Sequence, residues 1–167
     1  SQAMYTAELS NALERLSTRY APVLKNPDNE IVQVMALNTG GEIMDSIQQA
    51  CRRHGGPNTV VIYPRGNFNG RREHANKLNQ DEDLENSFHE NGNLNVDAAG
   101  RCFVEFNDPN DLERTVNECA KQGRLAAIIW EPIQGEGGIF VSTPEFVKTM
   151  NELQARGELL IVADEVQ

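Results

Sequence analysis

The sequence predicts an α/β fold in which a mostly parallel sheet lies between helices on both faces, giving three layers. Short apolar runs recur along the chain, and the clearest is LLIVA at Leu159–Ala163. A run of five apolar residues without alternation indicates a strand that is buried on both faces, as in parallel sheets. Segments with helical spacing of apolar residues separate these runs, which favours right-handed crossovers within one sheet.

Length, composition and charge limit the possible functions. The 167 residues are 39% hydrophobic and 24% charged, as is ordinary for a globular domain with a core. We predict one domain over residues 1–167. The formal net charge of −10 argues against nucleic-acid and anionic-membrane partners, because phosphate surfaces require clustered lysine and arginine. A small soluble ligand is favoured instead.

Cysteine usage and hydropathy indicate where the protein works. Cys51, Cys102 and Cys119 are odd in number and lie in no CxxC spacing, so we expect neither a disulfide framework nor a zinc site. No apolar run approaches the roughly 20 residues of a membrane span, and the N-terminus lacks the features of a signal peptide. We expect a reducing compartment, the cytoplasm, with the mitochondrial matrix as the alternative.

The first elements lead to a glycine pair. Apolar residues at helical spacing predict a helix over residues 7–20, and residues 31–37 (IVQVMAL) predict a strand. Asn38, Thr39, Gly40 and Gly41 then open a helix with Ile43 and Ile47 on one face. Small residues at a helix start expose backbone N–H groups, and the helix dipole adds positive charge, which together favour a phosphate site. Glycines that merely turn the chain would have the same pattern.

Residues 59–63 (TVVIY) predict a second buried strand, and glycines and polar residues follow it. Phe68, in the loop after this strand, could stack on a planar ring, or it could anchor the loop. Arg71 could hold a carboxylate through its planar guanidinium group. From about residue 72 to residue 100 the chain is polar, and we predict a surface excursion with at most one short helical turn.

Regular structure resumes at residue 102. Cys102, Val104 and Phe106 occupy alternate positions in RCFVEFN, which predicts a strand that is exposed on one face or near an edge. A helix should begin near Asp111, with Asp108 or Asn110 as its cap. AAIIW at Ala126–Trp130 predicts a buried strand, and residues 131–138 (EPIQGEGG) a loop. Thr143 and Pro144 predict the start of a last helix, which Gly157 should end.

Four polar or glycine-rich segments each follow an apolar strand: NTGG, GNFNGR, EPIQGEGG and ADEVQ. The carboxyl ends of parallel strands line the ligand crevice, so we expect Gly40, Phe68 and Asp164 to surround one crevice. An apolar strand that ends in Asp-Glu also occurs in phosphate-handling ATPases. The chain contains no GxxxxGK[ST] and no GxGxxG, however, which disfavours P-loop and dinucleotide-binding domains.

The same segments, in this order, resemble the class III, fold-type-I aminotransferases that use pyridoxal 5′-phosphate, most closely the ornithine and acetylornithine group. The resemblance covers nearly the whole chain, from SQAMYTAELSNALERL to AAIIWEPIQGEGG and LLIVADEVQ. It implies part of the large, cofactor-binding domain. It also implies a homodimer for the full-length protein, with an amino donor and a 2-oxo acid as substrates.

The resemblance assigns cofactor contacts to five positions. Asp164 would pair with the pyridine nitrogen and keep it protonated, so that the ring can accept electrons. Gln167 would contact the phenolic oxygen, Phe68 would stack on the ring, and the N–H groups of Gly40 and Gly41 would bind the phosphate.

The resemblance also assigns the substrate contacts. Arg71 would meet a substrate carboxylate, and Glu136 would pair with that arginine or with the substrate's amine. Glu131 is expected to hold its loop by hydrogen bonds.

The lysine that forms the family's Schiff base is not among the positions present. Lys25, Lys77, Lys121 and Lys148 occupy none of the places expected for it. Two hypotheses follow: a large-domain fragment of a transaminase that is inactive alone, or a catalytically silent aminotransferase-like binding module. A lysine after a further apolar strand beyond Gln167 in the parent reading frame would favour the enzyme.

Overall fold

A computed structural model describes residues 37–69 and 86–166, together with five helical residues nearer the N-terminus: Glu8, Asn11, Ala12, Glu14 and Arg15. The chain divides into two compact units, residues 1–38 and residues 39–167. The five helical residues are exposed and fall within the helix predicted over residues 7–20. The rest of that helix, and the strand predicted over residues 31–37 except Leu37, lie outside the described residues. Leu37 itself has no strand assignment.

The second unit alternates strands and helices. In chain order its elements are α1 (Gly40–Gly55), β1 (Val60–Pro64), β2 (Arg101–Val104), α2 (Pro109–Lys121), β3 (Ala126–Trp130), β4 (Ile133–Gln134), β5 (Phe140–Val141), α3 (Pro144–Ala155) and β6 (Leu159–Ala163). Strands β2, β1, β3 and β6 form one sheet in that order, with every pair parallel. The predicted α/β fold with one mostly parallel sheet is confirmed.

The core lies on both faces of this sheet, because alternate residues of each strand point in opposite directions. On one face Ile62 and Ile128 pack with α2 and α3, whose buried residues include Leu112, Val116, Phe146, Met150 and Leu153. On the other face Val61, Tyr63 and Ile129 pack with Met44 of α1. The helices therefore form the two outer layers. All three cysteines are free and buried.

The helix starts are built as the sequence predicts. Asp108 caps α2 by accepting the N–H groups of Asn110 and Asp111 at 2.9 and 3.1 Å, so this helix begins two residues before the predicted position. The hydroxyl of Thr143 accepts the N–H of Phe146 at 3.3 Å, with Pro144 as the first helical residue. Both caps satisfy N–H groups that have no acceptor within the helix.

Two strands differ from prediction in their burial. β2 lies at one edge of the described sheet, as expected, but it has no exposed face. Its Arg101 is buried because the guanidinium forms an ion pair with Asp97. β6 was predicted to be buried on both faces, and only Leu159 is fully buried. The reason is that β6 forms the other edge of the described sheet, beside β3 alone.

Two segments predicted to be irregular contain more structure. Residues 72–85 of the polar excursion lie outside the described residues, but residues 86–100 carry Leu94 into the core, where it is 8% exposed, and Phe88 and Val96 pack beside it. In the loop after β3, Ile133 and Gln134 form strand β4, which pairs antiparallel with β5. Among the described residues, no helix is long and apolar enough to cross a membrane.

Candidate functional site

A cavity of about 460 Å³ opens at the carboxyl ends of β1, β3 and β6. Five of the predicted site residues line it: Gly40, Gly41, Phe68, Glu136 and Asp164. The convergence expected for Gly40, Phe68 and Asp164 is therefore found. The volume falls within the range of roughly 300–1,000 Å³ that is typical of small-molecule sites. Arg71 and Gln167 lie outside the described residues, and their roles remain predictions.

The N-terminus of α1 forms one wall of the cavity. Thr39 caps this helix, because its hydroxyl oxygen accepts the N–H of Glu42 at 3.3 Å. Its carbonyl oxygen also accepts the N–H groups of Glu42 and Ile43 at 3.1 and 3.2 Å. A Cβ added to Gly40 would meet no heavy atom within 4 Å, so the backbone there faces open space. The first N–H groups of a helix have no acceptor within it, and the helix dipole favours negative charge beside them. This wall can bind an anion such as a phosphate.

Apolar side chains continue that wall along α1. Ile43, Met44 and Ile47 face the cavity at helical spacing, and Phe68 contributes an aromatic side chain from the loop after β1. These three α1 residues are not among the predicted site residues. Their spacing alone predicts a buried helix face, and only their place beside the strand ends shows that the face also lines a cavity. Such a surface suits a flat organic ring.

Asp164 brings a carboxylate to the cavity directly after β6. The Asp164 N–H donates to the carbonyl oxygen of Trp130 at 2.8 Å, and its Oδ1 accepts the N–H of Val166 at 3.2 Å. The first bond extends the pairing between β3 and β6 by one residue and so fixes where the side chain starts. A carboxylate has about four acceptor positions, so it can accept a further donor from a ligand.

Glu131 is the buried acid of the cavity. It is 5% exposed, and its Oε2 accepts the N–H of Phe68 at 2.8 Å. Burial raises the pKa of this carboxyl, and the negative charges of Asp164 and Glu136 raise it further, while bonds from the N–H groups of Phe68 and Gly135 lower it. Glu131 was predicted to hold its own loop by hydrogen bonds, whereas the 2.8 Å bond runs to Phe68 in the loop after β1.

Three amide side chains at or next to the cavity are not among the predicted site residues. Nε2 of Gln134 donates to the carbonyl oxygen of Arg65 at 2.6 Å and to Oδ1 of Asn67 at 3.0 Å. Asn67 in turn donates to the carbonyl oxygen of Ile129 at 2.9 Å, and Asn69 lines the cavity beside Phe68. These amides are buried and bonded. The only available signal was the density of Asn and Gly around Phe68, which equally describes an exposed turn.

We predict that the pKa of Glu131 lies above the usual 4.5 and depends on its neighbours. Replacing Asp164 with asparagine should lower that pKa, because removing a nearby negative charge makes ionisation easier. Glu136→Gln should lower it by less, since the Glu136 charge is the smaller of the two influences. Carbon-13 NMR titration of the side-chain carboxyl measures this, with Glu145→Gln on α3 as the control. A Glu131 pKa at or below 4.5 in the unaltered chain would contradict the prediction.

Comparison with known proteins identifies similar chains. A family model described as aminotransferase class-III matches residues 1–167. An ornithine aminotransferase of Oceanobacillus iheyensis is 32% identical over 142 residues, which are 81% of this chain and 33% of that protein. An acetylornithine aminotransferase of Archaeoglobus fulgidus is 32% identical over 130 residues, which are 78% of this chain and 32% of that protein. The chain spans about a third of the length of these relatives.

Solved structures agree with the sequence matches. The crystal structure of an ornithine aminotransferase from Toxoplasma gondii matches 78% of this chain and 30% of its own, with a TM-score of 0.56 and 26% identity. A second structure of the enzyme from that organism, with the same scores, is described as showing partial occupancy of PLP at the active site.

Proposed function

The chain belongs to the class-III aminotransferase family, and we propose that it is the cofactor-binding part of a pyridoxal-phosphate-dependent aminotransferase of the ornithine or acetylornithine type. The whole protein would move an amino group from an amino donor to a 2-oxo acid. The observation that supports this best is that Gly40, Gly41, Phe68, Glu136 and Asp164 line one cavity. These are positions at which the resemblance places cofactor and substrate contacts.

The described residues fit the cofactor in its three chemical parts. A phosphate suits the N-terminus of α1, where the backbone of Gly40 faces open space. A flat ring suits the apolar side chains of Ile43 and Met44 with Phe68. A ring nitrogen that carries a proton suits the carboxylate of Asp164. One cavity offers all three surfaces.

Each residue then has a defined role. When bound, pyridoxal 5′-phosphate supplies a ring that accepts electrons from the substrate. The Asp164 carboxylate would accept the N–H of the ring nitrogen and hold the proton there. Phe68 would cover one face of the ring and exclude water from it. Gly40 and Gly41 would donate N–H groups to the phosphate.

The remaining roles concern the substrate and the whole protein. Glu136 would pair with Arg71 or with the substrate's amine, Arg71 would bind a substrate carboxylate, and Gln167 would contact the phenolic oxygen. The family resemblance supports a homodimer for the whole protein, in the cytoplasm or the mitochondrial matrix. Residues 1–167 would then form one part of its large domain.

The experiment uses pyridoxine 5′-phosphate, a cofactor analogue without the aldehyde, because it cannot react with surface lysines. We expect one molecule to bind per chain in isothermal titration calorimetry. Pyridoxine, which lacks the phosphate, should bind at least about tenfold more weakly, since it forgoes charge-assisted hydrogen bonds worth roughly 1.5 kcal/mol or more. Absence of binding by the phosphorylated analogue would contradict the cofactor role, and equal affinities would contradict a phosphate site at α1.

A further inference from the structure

Two loops at the ends of neighbouring strands contact each other beside the cavity. Residues 65–69 follow β1, and residues 131–138 follow β3. A Cβ added to Gly137 would lie 2.6 Å from the carbonyl oxygen of Gly66, which is closer than real Cβ atoms approach. Gly66 itself has a φ of +82°, a conformation that side-chain-bearing residues rarely adopt. The two backbones therefore pack directly against each other.

One buried tie between these loops is made by amides. Gln134 donates from Nε2 to the carbonyl oxygen of Arg65 and to Oδ1 of Asn67. Because Asn67 also donates to the carbonyl oxygen of Ile129, this tie joins the first half of the β1 loop to the end of β3. None of these three hydrogen bonds reaches the backbone N–H of Phe68, the aromatic residue of the cavity.

The second tie is Glu131, and it acts on Phe68 itself. Its Oε2 accepts the Phe68 N–H at 2.8 Å, and the N–H of Gly135 also bonds to the carboxylate. A carboxylate buried near Asp164 and Glu136 is unfavourable alone, so these two hydrogen bonds to N–H groups offset part of that cost. The charge is held between two loops that face the cavity.

We propose that Glu131 is a positioning residue, which fixes Phe68 at the cavity by binding its backbone N–H. Without this acceptor, the half-buried N–H of Phe68 loses its partner, and the end of the loop gains freedom. The amide tie of Gln134 still holds Arg65 and Asn67, so the loosening is confined to Phe68 and Asn69. The effect on ligand binding rests on the proposed function, whereas the effect on Phe68 does not.

Hydrogen exchange of backbone amides, measured by NMR on the 167-residue chain without cofactor, tests this proposal. Glu131→Ala should accelerate exchange at Phe68 by about tenfold, the factor expected when one charge-assisted hydrogen bond is lost. Ile62, within β1, should exchange as before. Glu131→Gln should restore most of the protection, because its amide oxygen can accept the same N–H. Glu131→Asp keeps the charge but has a shorter side chain, so it should also accelerate exchange at Phe68. This variant replaces the alanine variant in the test if the alanine variant fails to fold.

Ligand affinity provides the second measurement. Pyridoxine 5′-phosphate should bind the Glu131→Asp variant more weakly than the unaltered chain, although the two carry the same charge. Unchanged exchange at Phe68 in the alanine and aspartate variants would overturn the proposal. Exchange that accelerates equally at Ile62 and Phe68 would also overturn it, as would a Glu131→Gln variant in which the Phe68 amide exchanges as fast as in Glu131→Ala. If the unaltered chain binds no pyridoxine 5′-phosphate, the proposed function fails, while the exchange rates still decide the role of Glu131.

Discussion

Replacing Asp164 with asparagine should weaken the binding of pyridoxine 5′-phosphate by about tenfold to a hundredfold. Asparagine has nearly the same shape, so it removes the charge while it keeps an oxygen that can accept a hydrogen bond. A hydrogen bond to a charged group contributes roughly 1.5–3 kcal/mol, and each 1.4 kcal/mol is a factor of ten in affinity. Isothermal titration calorimetry at constant salt measures the difference.

The control for Asp164 must separate a direct contact from the general charge of the chain, which is −10. Glu145→Gln removes the same charge from the exposed first turn of α3, on the sheet face that packs against α2 and α3. Its affinity should stay within about twofold of the unaltered chain, because exposed charges are screened beyond about 10 Å. Equal losses of affinity in both variants would indicate a long-range effect of charge. Unchanged affinity in Asp164→Asn would contradict a contact between Asp164 and the ring nitrogen.

The 167-residue chain alone should show no transaminase turnover. Amino-group transfer in this family needs a desolvated lysine amine at the cofactor. Lys121 on α2 and Lys148 on α3 are 72% and 74% exposed and pair with Glu118 and Glu152, and neither lines the cavity. Lys25 and Lys77 lie outside the described residues, and the family pattern places the lysine at neither position.

Mass spectrometry tests this after incubation with pyridoxal 5′-phosphate and reduction with borohydride. We expect scattered labelling below one equivalent per chain, which excess pyridoxine 5′-phosphate leaves unchanged. Labelling of one lysine at one equivalent, suppressed by the analogue and accompanied by amino-group transfer, would show that the catalytic amine is among the four lysines. Such a result would also exclude the silent binding module as a description of this chain.

Strand positions and helix starts could be read from local sequence. Ala126–Trp130 and Leu159–Ala163 were predicted with the bounds that the structure shows, because each is a short apolar run between a helix end and a polar segment. Thr143 was predicted as a cap, and Asp108 as one of two candidates with Asn110, since a hydroxyl or carboxylate before a helix bonds N–H groups only two or three residues away. The convergence of Gly40, Phe68 and Asp164 was predicted from the rule that parallel strands end at one edge and from the shared cofactor that the family resemblance implies.

Burial could not be read in this way. The alternation in β2 predicted an exposed face or an edge position; the strand lies at an edge, but Arg101 is buried through its ion pair with Asp97. The continuous apolar run of β6 predicted full burial, but the strand lies at an edge of the described sheet. Leu94 lies in a polar stretch and still reaches the core. In each case the outcome depended on which neighbours the fold places beside the residue in the described part of the chain, and the residue's own type did not decide it.

The sequence by itself determined the α/β class, the strands at the site and the residues at their carboxyl ends, because those properties depend on spacing over a few residues. Only the tertiary structure decided how the site residues are held. Glu131 bonds Phe68 across 63 positions, and Gln134 bonds Asn67 across 67. Hydrogen bonds depend on distances of about 3 Å between atoms, and local patterns of residue type contain no information about which distant loops approach that closely.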